Sequence, residues 1–138
     1  MVRDTKQSLK FYRDALGLQV AGSSENYGPE QANLNNVRGA HLRITALRAA
    51  DGPGIEFLQY LEPKNGRPYP RDERANDLIH WQTSLLVPDA GLAAARLQAE
   101  GVAFISPGVV ALADTSARGK LGIVVRDPDG HVMQLIEP

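Results

Sequence analysis

Hydrophobic positions repeat along this chain with two periods. Leu9, Phe11, Tyr12, Ala15 and Leu16 form a stripe of helical spacing over Lys6 to Leu16. Asp4 or Thr5 can accept the orphan N–H groups at its start, and Gly17 fits its end. Leu18 to Ser23 reads as a strand. Glu25 to Val37 is polar, holds Gly28 and Pro29, and reads as irregular or as a short helical turn. From Ala40 to Leu47 the period becomes two, with Leu42, Ile44 and Ala46 alternating with His41, Arg43 and Thr45. Ala49 to Gly54 is a turn, and Ile55 to Leu61 is the next strand.

The pattern then restarts. Leu78 to Val87 reads as a strand, and Asp89 caps a helix over Ala90 to Glu100 that Gly101 ends. Val102 to Ile105 reads as a strand and Ser106 to Arg118 as a loop. The chain closes on a hairpin, Leu121 to Asp127 and His131 to Glu137, around Asp127-Pro128-Asp129-Gly130. Proline pre-sets one turn residue there, and glycine supplies the positive φ.

The two stretches match. Each runs Asp, helix, Gly, strand, and Ile55-Glu56-Phe57-Leu58 has the plan of Met133-Gln134-Leu135-Ile136, one polar residue in an apolar strand. This predicts an α+β protein of paired β-α-β-β-β modules, residues 1–61 and 78–138. Residues 62–77, with Pro63, Gly66, Pro68, Pro70, Arg67, Arg71 and Arg74, form the linker. A segment of that length is expected to be disordered, a lid or a dimer arm. The strand before the second helix has no full counterpart before Asp4, where only Met1-Val2-Arg3 stand. The first strand of module one is therefore expected to be largely absent. The sheet edge it would leave open predicts a homodimer, since proteins cover such edges.

Composition narrows the chemistry. A net charge of −1 gives no electrostatic case for nucleic acid or an anionic membrane. The chain has no cysteine, so thiol nucleophiles and zinc–thiolate sites are excluded. No apolar run reaches the roughly 20 residues of a membrane helix. Met1-Val2-Arg3-Asp4 leads straight into a polar helix start, so no signal peptide is expected, and the expected location is the cytoplasm. Neither a phosphate-binding glycine motif nor a serine nucleophile elbow is present.

Glu56 and Gln134 remain conspicuous, because a polar group inside an apolar strand is costly unless it is partnered. The plainer alternative for Glu56 is a solvated strand face. His80 shares strand parity with Gln82, Ser84 and Leu86, a face polar at its start as a binding surface would be; the plainer alternative is a structural hydrogen-bonder. Arg43, with His41, lies on the polar side of its strand and could hold an anionic group or merely be exposed. Tyr60 shares Glu56's parity and could line a cleft. His131 is expected to be exposed and Asp127 and Asp129 to serve the turn.

Ser8-Leu9-Lys10-Phe11-Tyr12-Arg13-Asp14-Ala15-Leu16-Gly17-Leu18 and Asp127-Pro128-Asp129-Gly130-His131 resemble the vicinal oxygen chelate superfamily. Glyoxalase I, methylmalonyl-CoA epimerase, extradiol dioxygenases, and the fosfomycin and bleomycin resistance proteins belong to it. The resemblance implies a U-shaped, mostly antiparallel sheet around a cleft, with a divalent metal (Zn, Ni, Co, Mn or Fe) held by strand residues. It implies Glu56, His80 and Gln134 as metal ligands, with an amide where a carboxylate is commoner and no counterpart for the fourth ligand. Glu56 would also be the catalytic base, and Arg43, Tyr60 and Gln82 would contact the substrate. Two functions follow. One is a metal-dependent glyoxalase-like or epimerase-like lyase or isomerase acting on a small molecule with vicinal oxygens, a ring-cleaving dioxygenase being a poorer match. The other is a metal-free small-molecule-binding protein of the bleomycin-resistance type.

Overall fold

A computed structural model describes residues 1–113 and 121–138. The chain forms two compact units, Met1–Pro68 and Tyr69–Pro138. The boundary falls inside the segment that the sequence marks as a linker.

In the first unit α1 (Thr5–Leu9) runs directly into a π-helical segment, Lys10–Ala15. β1 (Gln19–Tyr27), α2 (Pro29–Asn35), β2 (His41–Arg48) and β3 (Ile55–Glu62) follow. The three strands form an antiparallel sheet in the order β1-β2-β3. Phe11, Tyr12, Leu47 and Phe57 are buried, and Tyr12 meets Phe57 edge-on at 4.9 Å. Burying such rings supplies most of the stabilisation that a sheet of this size can draw on.

The second unit holds β4 (Gln82–Leu86), α3 (Ala90–Ala99), β5 (Val110–Ala111), β6 (Leu121–Arg126) and β7 (Val132–Glu137). Its sheet order is β4-β7-β6-β5, with β4 parallel to β7 and the other pairs antiparallel. Leu97 on α3 and Ile123, Val125, Met133 and Leu135 on the central strands are almost wholly buried. Strand alternation sends Val124, Arg126, Gln134 and Ile136 to the opposite face.

The duplication extends to hydrogen bonds. Asp4 Oδ1 accepts from Lys6 N at 2.8 Å, and Asp89 Oδ1 accepts from Leu92 N at 2.7 Å. Two residues before each cap, Val2 N donates to Leu58 O at 3.0 Å and Val87 N to Ile136 O at 2.9 Å. One residue after each cap, Thr5 N donates to Gln59 Oε1 and Ala90 N to Glu137 Oε2. Each last strand therefore supplies both a backbone and a side-chain acceptor to the start of its helix. Glu56 and Gln134 each stand three residues before that side-chain acceptor.

The π-helical segment also follows from the sequence. Tyr12 and Leu97 match, since their carbonyls accept from the equivalent N–H groups of Leu18 and Val102. Six residues separate the first pair and five the second, so the first helix carries one extra residue. An α-helix absorbs a single insertion by widening locally to an i→i+5 pattern. Leu16 N to Phe11 O is such a bond, at 3.0 Å.

Several boundaries differ from expectation. β1 continues to Tyr27, beyond Ser23, because all its residues are exposed and alternation gives no signal. The segment read as irregular or as a short helical turn contains the seven-residue α2. Its Gly28 and Pro29 start a helix there, with Pro at the first position where its missing N–H costs nothing, and Asn36 closes it at φ 51. The strand expected from Leu78 begins only at Gln82, since His80 N closes a turn on Asp77 O. Val102 to Ile105 makes only an isolated bridge, Phe104 to Val125, and the short β5 was not foreseen. Of the loop expected over Ser106 to Arg118, residues 114–118 lie outside the described residues.

Candidate functional site

The polar face of the second sheet is built from two rows of facing residues. Arg126, Val132 and Gln82 form one row across β6, β7 and β4, and Val124, Gln134 and Ser84 form the next. Gln134 sits centrally, and its Oε1 accepts from Ser84 Oγ at 2.9 Å and from Gln82 Nε2 at 3.3 Å. An amide oxygen has two lone pairs, and both are engaged. The structure thus brings together Gln82 and Gln134, which the sequence singled out, with Ser84, which alternation puts on the same face as Gln82.

A second network lies at the Arg126 end. Arg126 donates to Gly130 O at 2.9 Å and to Glu73 O at 3.0 Å, and it pairs with the Glu73 carboxylate. The other carboxylate oxygen, Oε1, meets His80 Nδ1 at 2.7 Å. Glu73's side chain is fully buried and that of His80 is 14% exposed. Burial alone would raise the Glu73 carboxyl, but hydrogen bonds from Arg126 and then His80 outweigh it and hold it below the ordinary glutamate range. Glu73 has no hydrophobic neighbours in sequence to betray its burial, and the arginine-rich segment around it reads as solvated. Only its spacing of seven from His80 hints at a turn that could join them.

Nearby, Asp127 serves the hairpin. Its Oδ1 accepts from Asp129 N and His131 N, and its Oδ2 meets His131 Nδ1 at 2.9 Å. His131 is therefore half-buried and tied to the turn. Tyr69 packs against that ring and donates to Ile79 O at 3.1 Å. Burial pushes its phenol above the usual value.

In the first unit Glu56 and Tyr60 share a face of β3, with Ala46 and Leu42 opposite them on β2. Glu56 is exposed and has no hydrogen-bond or ion-pair partner among the described residues. It borders a shallow hollow of about 370 Å3 with Ala46, Leu47, Arg48, Gly54 and Ile55. Arg43 stands on the other face, opposite Gln59, whose side chain reaches the start of α1. Arg43 and His41 both bind Glu25, at 3.0 Å each, and hydrogen bonds from Arg43 and then His41 hold the Glu25 carboxyl low.

Among the described residues no three His, Asp or Glu side chains converge as a metal ion would require. The second unit offers neutral amide and hydroxyl groups whose central acceptor is already bonded, and its buried carboxylate is committed to Arg126 and His80. His80 Nε2 stands beside them as one imidazole donor, and a single imidazole with these committed groups is not a complete ligand set for a divalent metal among the described residues of the second unit.

Residues 1–135 match the model of the Glyoxalase/Bleomycin resistance protein/Dioxygenase superfamily, and the chain belongs to that superfamily. A search of curated proteins found no match. Among solved structures, a glyoxalase family protein from Bacillus cereus is similar with a TM-score of 0.80 at 18% identity, over 99% of this chain and 87% of that one. The trypanothione-dependent glyoxalase I of Leishmania major gives 0.61 at 20% identity, over 99% and 80%. An antibiotic binding protein from Streptomyces sp. CB03234 gives 0.53 at 20% identity, over 99% and 88%. At these identities the likeness concerns the fold.

Proposed function

We propose that this chain binds a small organic molecule directly, without a bound metal, on the polar face of the second sheet. The observation that carries this reading is the double engagement of Gln134 Oε1 by Ser84 and Gln82. With its oxygen occupied, the amide of Gln134 keeps its N–H groups as donors, suited to a carbonyl, phenolate or other oxygen acceptor. The free carbonyl of Gln82 offers an acceptor beside it. A fixed donor–acceptor pair beside the half-buried Val124 is the kind of polar anchor that orients a small organic ligand. The likeness in fold to an antibiotic binding protein supports the same reading.

The test is a thermal-shift screen of chelator-treated protein against aromatic antibiotics, bleomycin included. At least one compound is expected to raise Tm, with the rise unchanged by chelator and lost in Gln134→Ala. Compounds that act only on metal-loaded protein would overturn the reading.

A second reading, a metal-dependent glyoxalase-like or epimerase-like enzyme, draws on two observations. Glu56 is a carboxylate without a partner among the described residues, and the contact of His80 Nδ1 with a carboxylate is the arrangement common behind metal-bound histidines. In that reading Glu56 would bind metal and exchange a proton with substrate, and the metal would act as a Lewis acid on vicinal oxygens.

A further inference from the structure

We infer that Glu73 is a positioning residue that fixes His80 as a hydrogen-bond acceptor for the ligand of the second unit. This deepens the binding reading above and rests on it. Glu73 lies in the Tyr69–His80 segment, yet its carboxylate is buried and spans two groups that belong to the site's margins. One oxygen is held by Arg126, which shares the row of Gln82. The other is 2.7 Å from His80 Nδ1, two residues before Gln82. An ionised carboxylate only accepts hydrogen bonds, so the ring nitrogen facing it must carry the proton. In the neutral imidazole the proton is then on Nδ1, and Nε2 is left with its lone pair. Arg126 matters because it ties the carboxylate by side chain and main chain together, which stops Glu73 from following the ring.

The second unit then offers two opposite characters: an imidazole acceptor at His80, two residues before Gln82, and amide N–H donors at Gln134. The complementary ligand is a molecule that carries a hydroxyl or N–H donor and an oxygen acceptor, such as a hydroxylated aromatic carbonyl compound. The other two histidines differ in context. His131 is bonded by Asp127 within the turn, and His41 meets Glu25 through Nε2, which leaves a different ring nitrogen available.

The experiment is long-range proton–nitrogen NMR of the three imidazoles, recorded at a pH where the nitrogen shifts themselves show neutral rings, with phenol as the donor probe. In the wild type His80 is expected to show a single Nδ1–H tautomer, and millimolar phenol is expected to move its Nε2 resonance. In Glu73→Gln the tautomers are expected to mix and the phenol response to fall at least threefold, with the folded-state amide spectrum retained. Glu73→Asp is expected to restore part of the preference. An Nε2–H tautomer in the wild type, an unchanged tautomer in Glu73→Gln, or no response of Nε2 to phenol would each overturn the inference. The readout needs no antibiotic and no metal count, so it fails or holds apart from the binding reading.

Discussion

At Glu73 a single buried carboxylate orders Arg126 and His80 together. Its folded-state value lies below the ordinary glutamate value, so its contribution is present above the unfolded value of about 4.3 and is lost as pH falls through the lower folded one. The Tm difference between wild type and Glu73→Gln should therefore be full at neutral pH, begin to fall at about pH 4, and vanish in stronger acid. Thermal unfolding across pH checks this, and a difference that grows on acidification would contradict it. The residue was illegible in sequence. Glu56 and Gln134 stood out because apolar neighbours on a strand imply burial, whereas Glu73 lies among charged residues, and its burial comes from a turn that tertiary contacts impose. His80 was legible as a site candidate, but its partner was not. Arg43 illustrates a different limit: alternation put it on the polar side of β2, yet only pairing with Gln59 shows that it faces away from Glu56 and Tyr60.

At the scale of elements, the helix of the first unit gives a sharp test of the duplication. One residue beyond Tyr12 is extra relative to α3, and Asp14 is an exposed residue in that stretch. Deleting Asp14 should convert the π-helical turn to an α-helical one and leave the fold intact, with a stability change of about 1 kcal/mol or less, since exposed positions contribute little. Deleting Ala94 from α3 should instead rotate Leu97 out of the core and prevent folding. Denaturant unfolding of the two variants distinguishes them; equal damage from both would contradict the repeat. The repeat itself was visible in the matched Asp, Gly and strand signatures. The π-helical turn was not identified, although the extra residue between Asp4 and Gly17 was there to count. α2 matches the short helical alternative for Glu25 to Val37, and Pro29 at its first helical position favours that start over a break.

For the whole molecule, every residue of β1 is exposed, and the outer edge of β3 takes one backbone bond, from Val2, among the described residues. Unpaired edges favour association, so a homodimer is the expected state, and a monomer by light scattering at micromolar concentration would contradict it. No helix among the described residues is long and apolar enough to cross a membrane. The superfamily was legible from two short stretches, because a helix ending in Leu-Gly and an Asp-Pro-Asp-Gly hairpin are set by local backbone geometry. Activity was not, because it turns on which oxygen of which side chain is free. Under the proposed binding reading Gln134 carries that difference: its oxygen is held by Ser84 and Gln82, and a metal taking it as a ligand would compete with both. The most direct test is calorimetric titration of chelator-treated protein with Zn, Ni, Co, Mn and Fe(II), with Tm read alongside. The account predicts no stoichiometric binding and an unchanged Tm in every case. One ion per chain, with Tm raised and the binding abolished by Glu56→Ala, would contradict it.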